Sequence, residues 1–289
     1  MSIVELSGIP AASAGRRRFA RRPPALDIAV YLVLGIVLLA VVVGPFITPA
    51  SAFQADASQV LRPPSAAHWF GTDALGRDVM WRVIDGAHVS VLAALAIVAI
   101  SAVAGTVIAV GAALGGRRID MLLTAVCDIG FSVPGLVVAL GFAATIGPSL
   151  GTAILATVVL SWTLTARLLR GILREIREMP FVDGATALGV SRAAVLFRHV
   201  LPNALDVLWV KWSADIGKMI VLLAGLSFIG VGAQPPSAEW GAMIADAQGY
   251  ITTAWWTVLA PGLAIVATAS AFGLLGEILQ TRIDPALHD

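Results

Sequence analysis

Cysteine, lysine and charge are all scarce in this chain, and each scarcity excludes a class of protein. The single cysteine, Cys127, rules out an internal disulfide framework and a cysteine-based zinc site, and its place in an apolar run reads as packing. The only lysines, Lys211 and Lys218, stand outside any Gly-x-x-x-x-Gly-Lys-Ser/Thr arrangement, so the phosphate-cradling loop of a nucleotide hydrolase is absent. The histidines at 68, 88, 199 and 288 are scattered outside the centres of the apolar runs, which argues against paired catalytic groups of a membrane-embedded enzyme. Charged residues make up 13% of the 289, against roughly a quarter in soluble domains. Apolar residues fill the space: 58% of the chain is hydrophobic and its mean hydropathy is +0.89. Lipid is the solvent for most of this sequence.

A hydrocarbon core of about 30 Å takes roughly 20 apolar residues in a helix. Such runs extend over Ile28–Ile47, Ser90–Leu114, Met121–Ile146, Leu150–Leu169, Ala204–Val231 and Trp256–Leu279. Alternating segments of about ten residues, the mark of a membrane barrel, are not found, and lipid accepts only helices or closed barrels. The fold class is therefore an all-α membrane protein of about six transmembrane helices. The first run is too long for a cleaved signal segment, despite Arg17-Arg18-Phe19 before it and Ala50-Ser51-Ala52 after it.

Arginines set the orientation, because Lys and Arg collect on the cytoplasmic side. Arg16, Arg17, Arg18, Arg21 and Arg22 precede the first run, Arg117 and Arg118 follow the second, and Arg167, Arg170, Arg174, Arg177, Arg192 and Arg198 surround the loop after the fourth. These fall on one side, and both termini are expected in the cytoplasm. The expected organisation is a cytoplasmic tail over 1–27, a first span over 28–47, and an external loop with an interfacial helix over 48–89. A five-helix core over 90–281, holding a cytoplasmic loop at 175–203, and a cytoplasmic tail over 282–289 follow.

That cytoplasmic loop is punctuated as two short helices. Pro180 suits a first helical turn, Gly189 suits a left-handed stop, Ser191 suits a cap, and Leu201-Pro202 is expected to end the second helix. From the residues alone, a docking device and a plain amphipathic connector at the headgroups fit equally well. In the fifth run Lys211, Asp215 and Lys218 recur at helical spacing as one polar stripe. Charges near the bilayer centre each cost roughly 2.5 to 3.5 kcal/mol on insertion scales, so the stripe is expected either to line a translocation path or to pair internally with Lys211 snorkelling to the surface. Asp128 is expected to face the bundle. Thr72 or Asp73 is expected to cap the interfacial helix, in preference to a metal site of His68, Asp73 and Asp78. Trp240, Trp255 and Trp256 are expected as anchors at the outer headgroups.

The loop after the fourth run resembles the cytoplasmic loop of ABC-transporter permease subunits, whose pattern is Glu-Ala-Ala, three residues, Gly, nine residues, Ile-x-Leu-Pro. The spacing here is kept as Asp183-Gly184-Ala185, Gly189, and His199-Val200-Leu201-Pro202, with Asp183, Gly184 and His199 departing from the pattern. Phe70-Gly-Thr-Asp-Ala-Leu-Gly-Arg-Asp78 through Arg82 is similar to a run in the permeases for dipeptides, oligopeptides and nickel. So are Leu226-Ser-Phe-Ile-Gly-Val-Gly, Gln234-Pro-Pro, Trp240-Gly241, Pro261-Gly262, Gly276-Glu277 and Asp284-Pro285. The resemblance implies the type I importer permease fold and the second permease of a pair in a bacterial inner membrane. Its implied partners are a related permease, two ATP-binding subunits and an extracytoplasmic substrate-binding protein. It implies no enzymatic activity and no cofactor in this chain, ATP and Mg residing on the partner subunits. Peptides are the implied cargo, with nickel or another small solute as the alternative. A self-sufficient secondary transporter would show matching broken helices in two halves, and none are evident.

Overall fold

The computed structural model describes residues 24–283. The N-terminal arginines through Arg22 and the Asp284-Pro285 tail lie outside the described residues. Among the described residues ten α-helices carry the fold: α1 Pro24–Ile47, α2 Val79–Gly115, α3 Arg117–Ser132, α4 Gly135–Ile146, α5 Leu150–Arg177, α6 Pro180–Ala187, α7 Arg192–Val195, α8 Leu201–Phe228, α9 Trp240–Ala247 and α10 Trp256–Ile283.

Length and apolarity qualify α1, α2, α5 and α10 as spans, while α3 and α4 pass the same test only together and are bent by 82° at their break, the geometry of a broken span or a re-entrant loop. The run Met121–Ile146, read as one span kinked by its proline, is thus broken into two helices at Pro134. Pro134 lacks an N–H, takes an extended conformation (φ −60°, ψ 124°) and starts α4 on a new axis. With 28 residues, α8 is long enough to span. Every stretch of it long enough to cross contains Lys211, Asp215 and Lys218, so it is a span by length and a polar one by composition.

The helices pack α2 along α5 and α8 along α10, while α1 lies outside against α2 and α10. Small residues allow the closest approaches. A Cβ on Gly217 of α8 would sit 2.5 Å from the Ala269 carbonyl oxygen of α10, so only glycine brings these backbones together. The buried apolar residues form two clusters. One joins α2, α5, α8, α9 and α10 around Ile97, Ile220, Leu223 and Trp240. The other surrounds Leu169, Leu173, Leu196 and Leu208 at the arginine-rich end.

At the opposite end the segment between α1 and α2 is folded rather than loose. Thr72 is fully buried, and its hydroxyl donates to the Gln59 carbonyl and accepts from Arg62 N at 2.8 Å. The expected interfacial helix is the first part of α2 itself, which runs 37 residues without interruption. Its cap is Asp78, which accepts from Trp81 N at 3.1 Å, and not Thr72 or Asp73. Asp73 is occupied by Leu75 N, Arg77 N and the Arg77 guanidinium. Trp240 and Trp256 are not headgroup anchors but buried pins. Their indole N–H groups donate to the carbonyls of Val83 at 2.9 Å and Thr72 at 3.1 Å. Of these three tryptophans only Trp255 is exposed, at 54%.

Candidate functional site

Three polar constellations lie along the bundle. The first is the loop between α5 and α8. Pro180 opens α6 and Asp183 sits in its first turn, where a carboxylate opposes the positive end of the helix dipole. Gly189 has φ +83°, and Val190 N donates to the Ala185 carbonyl at 3.1 Å, closing the end of the helix. The Ser191 hydroxyl accepts from Ala194 N at 3.3 Å. Pro202 does not terminate the second helix as expected. The chain continues from α7 through a widened turn, Leu196–Val200, in which Leu201 N donates to the Leu196 carbonyl, and Pro202 lies in the first turn of α8. A first-turn position needs no N–H, and the wider turn shifts the donors past the missing one.

This loop is fastened by an apolar face. Val182, Val195, Leu196 and Val200 are buried in the same cluster as Leu169 and Leu173 of α5 and Leu208 of α8. Asp183, Gly184, His199 and Pro202 are exposed, Ala185 and Leu201 are half-buried, and Leu188 at the tip is 87% exposed. The His199 ring stands edge-on to Phe181 with centroids 6.5 Å apart. Behind the loop lies a cavity of about 510 Å³ whose polar walls include Arg117, Asp120, Arg170, Arg174 and Asp183. Arg170 grips Asp120 with two bonds, the Oδ2 contact at 2.7 Å, and so ties α5 to α3. Higher on the same pair of helices Asp128 pairs with Arg167, whose guanidinium lies 4.1 Å from the centroid of the Phe131 ring. Asp128 is 60% exposed rather than turned into the bundle. An arginine from the neighbouring helix neutralises it at the surface.

The second constellation is the stripe on α8. Lys211 is tied to Asp215 and donates to the Thr165 hydroxyl of α5 at 3.2 Å. It therefore does not snorkel to the surface. Lys218 reaches the other Asp215 oxygen at 3.5 Å, and its side chain is 71% exposed while those of Lys211 and Asp215 are 17% and 18% exposed.

The third lies at the end opposite the α6–α7 loop and was not singled out from the sequence as functional. Arg82 is 1% exposed. Its guanidinium donates to the carbonyls of Pro236 at 3.5 Å and Ser237 at 3.3 Å and lies 3.6 Å from Asp73. With Asp73, Arg77, Asp246 and Tyr250 it walls a cavity of about 280 Å³. Burial pushes the Asp246 carboxyl above its ordinary range, against the opposing pull of the Arg77 and Arg82 charges, and Asp73 adds a smaller upward push. Glu239 is 1% exposed and caps α9 by accepting from Ala242 N at 2.9 Å, while Ser90 of α2 donates to its other oxygen at 3.2 Å. His68 pairs with Asp78 at 2.8 Å. Among the described residues no three His, Cys, Asp or Glu side chains gather as a metal-ligand set.

Several apolar spans, a long helix with a charged stripe, and a compact helical loop packed at the arginine-rich end define a multi-span helical membrane protein. Solved structures support that fold. An inward-facing form of the MetNI methionine ABC transporter matches with a TM-score of 0.55 at 18% identity, covering 71% of this chain and 98% of the other. An amino acid ABC transporter solved with histidines matches with a TM-score of 0.58 at 17% identity, over 70% and 94%. The chain belongs to the family described as binding-protein-dependent transport system inner membrane components, whose model matches residues 102–289. It is therefore a multi-pass protein of the bacterial inner membrane. The probable D,D-dipeptide transport system permease protein DdpC of Escherichia coli K12 is 39% identical over 90% of this chain and 87% of that protein. The dipeptide transport system permease protein DppC of Alkalihalophilus pseudofirmus is 35% identical over 86% and 82%. The glutathione transport system permease protein GsiD of an Escherichia coli O6 strain is 36% identical over 94% and 89%.

Proposed function

We propose that this chain forms half of the translocation pathway of an ATP-driven importer of peptides. Two ATP-binding subunits carrying ATP and Mg, a related permease and an extracytoplasmic substrate-binding protein complete the assembly. This chain supplies no ATPase site. The relatives named above are permeases for D,D-dipeptides, dipeptides and glutathione by their names, which favours peptides over nickel as cargo.

The observation that carries the reading is the way the α6–α7 loop is built. Its inner face shares one apolar cluster with α5 and α8, while Asp183, Leu188 and Phe197 point outward. A motor protein that grips the outer face moves both helices with it, since a packed cluster shifts as a body rather than deforming. In this reading Asp183, Gly184, Ala185, Gly189, His199, Leu201 and Pro202 make up the coupling loop. Closure of the ATP-binding subunits swings α5 and α8, and the Lys211, Asp215 and Lys218 stripe lines the path that opens. Charges on a span are tolerated where they face water, which fits a stripe on a moving, pore-lining helix.

The test is purification of the tagged chain in mild detergent, with identification of the co-purifying proteins and assay of ATP hydrolysis. A second permease and ATP-binding subunits are expected, and deletion of Asp183 to Pro202 is expected to release the ATP-binding subunits while retaining the second permease. A chain that purifies alone and moves solute in liposomes without ATP overturns the reading.

A further inference from the structure

Among the described lysines Lys218 is the loosely held one, with a single contact to Asp215 at 3.5 Å. Along α8 it lies ten residues before Phe228, about 15 Å from that end and about 26 Å from Leu201 at 1.5 Å per residue. Neither end is within reach of its side chain, and yet that side chain is 71% exposed. Lipid at that depth is a costly surrounding for a charge, so the ammonium faces water or another polar partner. Within the stripe on α8, two ammonium groups face one carboxylate. Asp215 is the carboxylate for both lysines: it holds Lys211 closely, with Thr165 assisting, and touches Lys218 only at 3.5 Å. The other acidic residue of α8 is Asp206, twelve positions away, or about 18 Å. Seven positions on, about two turns along α8, Gly225 is exposed and a Cβ on it would meet nothing within 4 Å.

We propose that Lys218 recognises the carboxylate of the transported solute within the path, with Asp215 and Lys211 as the pair that positions it. The proposal rests on the reading of α8 as a lining helix of a peptide importer. An ammonium with uncommitted N–H donors is a point charge for a carboxylate, and every peptide with a free C-terminus carries one. The loose contact to Asp215 supports transport as well as binding. As the solute leaves, the carboxylate of Asp215 takes the ammonium back, so the solute is held no more tightly than release allows.

The experiment uses the whole assembly in proteoliposomes and compares uptake of alanyl-alanine with that of its C-terminal amide. The free acid is expected to be preferred. Lys218→Met is expected to lower uptake efficiency for the acid about tenfold, the order set by losing one ionic contact of roughly 1.4 kcal/mol, with the amide unaffected. Lys218→Arg is expected to restore the preference. Equal loss for both substrates assigns Lys218 a structural role and overturns the proposal. Loss of the second permease from purified Lys218→Met complexes does the same, since the carboxylate is then a partner's side chain. Uptake of neither substrate by the wild-type assembly overturns the peptide reading, and this proposal with it. Uptake of both at equal rates overturns the proposal alone.

Discussion

Single residues decide how the end opposite the α6–α7 loop is held, and none of the decisive ones stands out in the sequence. Glu239 and Arg82 are ordinary surface residue types, but both are about 1% exposed here. Glu239 is satisfied by a helix cap and by Ser90 from another helix, and Arg82 by carbonyls more than 150 positions away. Partners that distant leave no local pattern. Asp246 differs from these two because burial raises its carboxyl. A folded-state pKa above the ordinary value means that the folded protein binds its proton more tightly than the unfolded chain does. Stability therefore falls as pH rises through the window above the usual 3.8. Asp246→Asn removes that loss. Its melting temperature is expected to exceed wild type by a margin that grows as pH rises above about 4, which thermal unfolding in detergent measures. A margin that shrinks as pH rises contradicts the assignment.

Whole elements were legible in the sequence where their physics is local. The apolar runs gave the spans, and Pro180, Gly189 and Ser191 set the limits of α6 and α7, because each acts on its own backbone. The bend after Ser132 was legible as a proline but not as an angle, which depends on what α4 packs against. The extension of α2 back to Val79 was hidden, since Arg82, Asp85 and His88 break the apolar run while the helix continues through them. Helix pairing was equally hidden, because a glycine looks the same whether or not another backbone lies against it. Gly217 and Gly273 make the distinction testable. A Cβ at Gly217 meets the Ala269 carbonyl at 2.5 Å, and one at Gly273 meets nothing within 4 Å. Gly217→Ala forces α8 and α10 apart and is expected to cost about 1 to 3 kcal/mol, as overpacking does. Gly273→Ala is expected to hold or gain up to about 1 kcal/mol from helix propensity. Equal melting temperatures for the two variants exclude the close α8–α10 crossing.

At the scale of the whole molecule, the proposed coupling role makes attachment to the motor and transmission of its movement separable properties of the α6–α7 loop. Attachment belongs to what is exposed. Leu188 at the tip is 87% exposed, and burying such a side chain against a partner is worth roughly 1.5 to 3 kcal/mol. Transmission belongs to what is buried. Leu173 of α5 is 2% exposed, in the cluster that joins the loop to α5 and α8, and truncating a buried leucine costs about 2 to 5 kcal/mol and leaves a cavity. Leu188→Asp is therefore expected to release the ATP-binding subunits while the melting temperature of this chain stays unchanged. Leu173→Ala is expected to keep those subunits bound but to lower both the melting temperature and the stimulation of ATP hydrolysis by substrate, because the loop then moves without carrying α5 and α8. Co-purification and stimulated hydrolysis, measured on both variants, separate the two properties. If both variants lose the ATP-binding subunits, or both lose only the stimulation, the loop does not divide into an outer grip and an inner lever, and α5 and α8 are moved by some other contact.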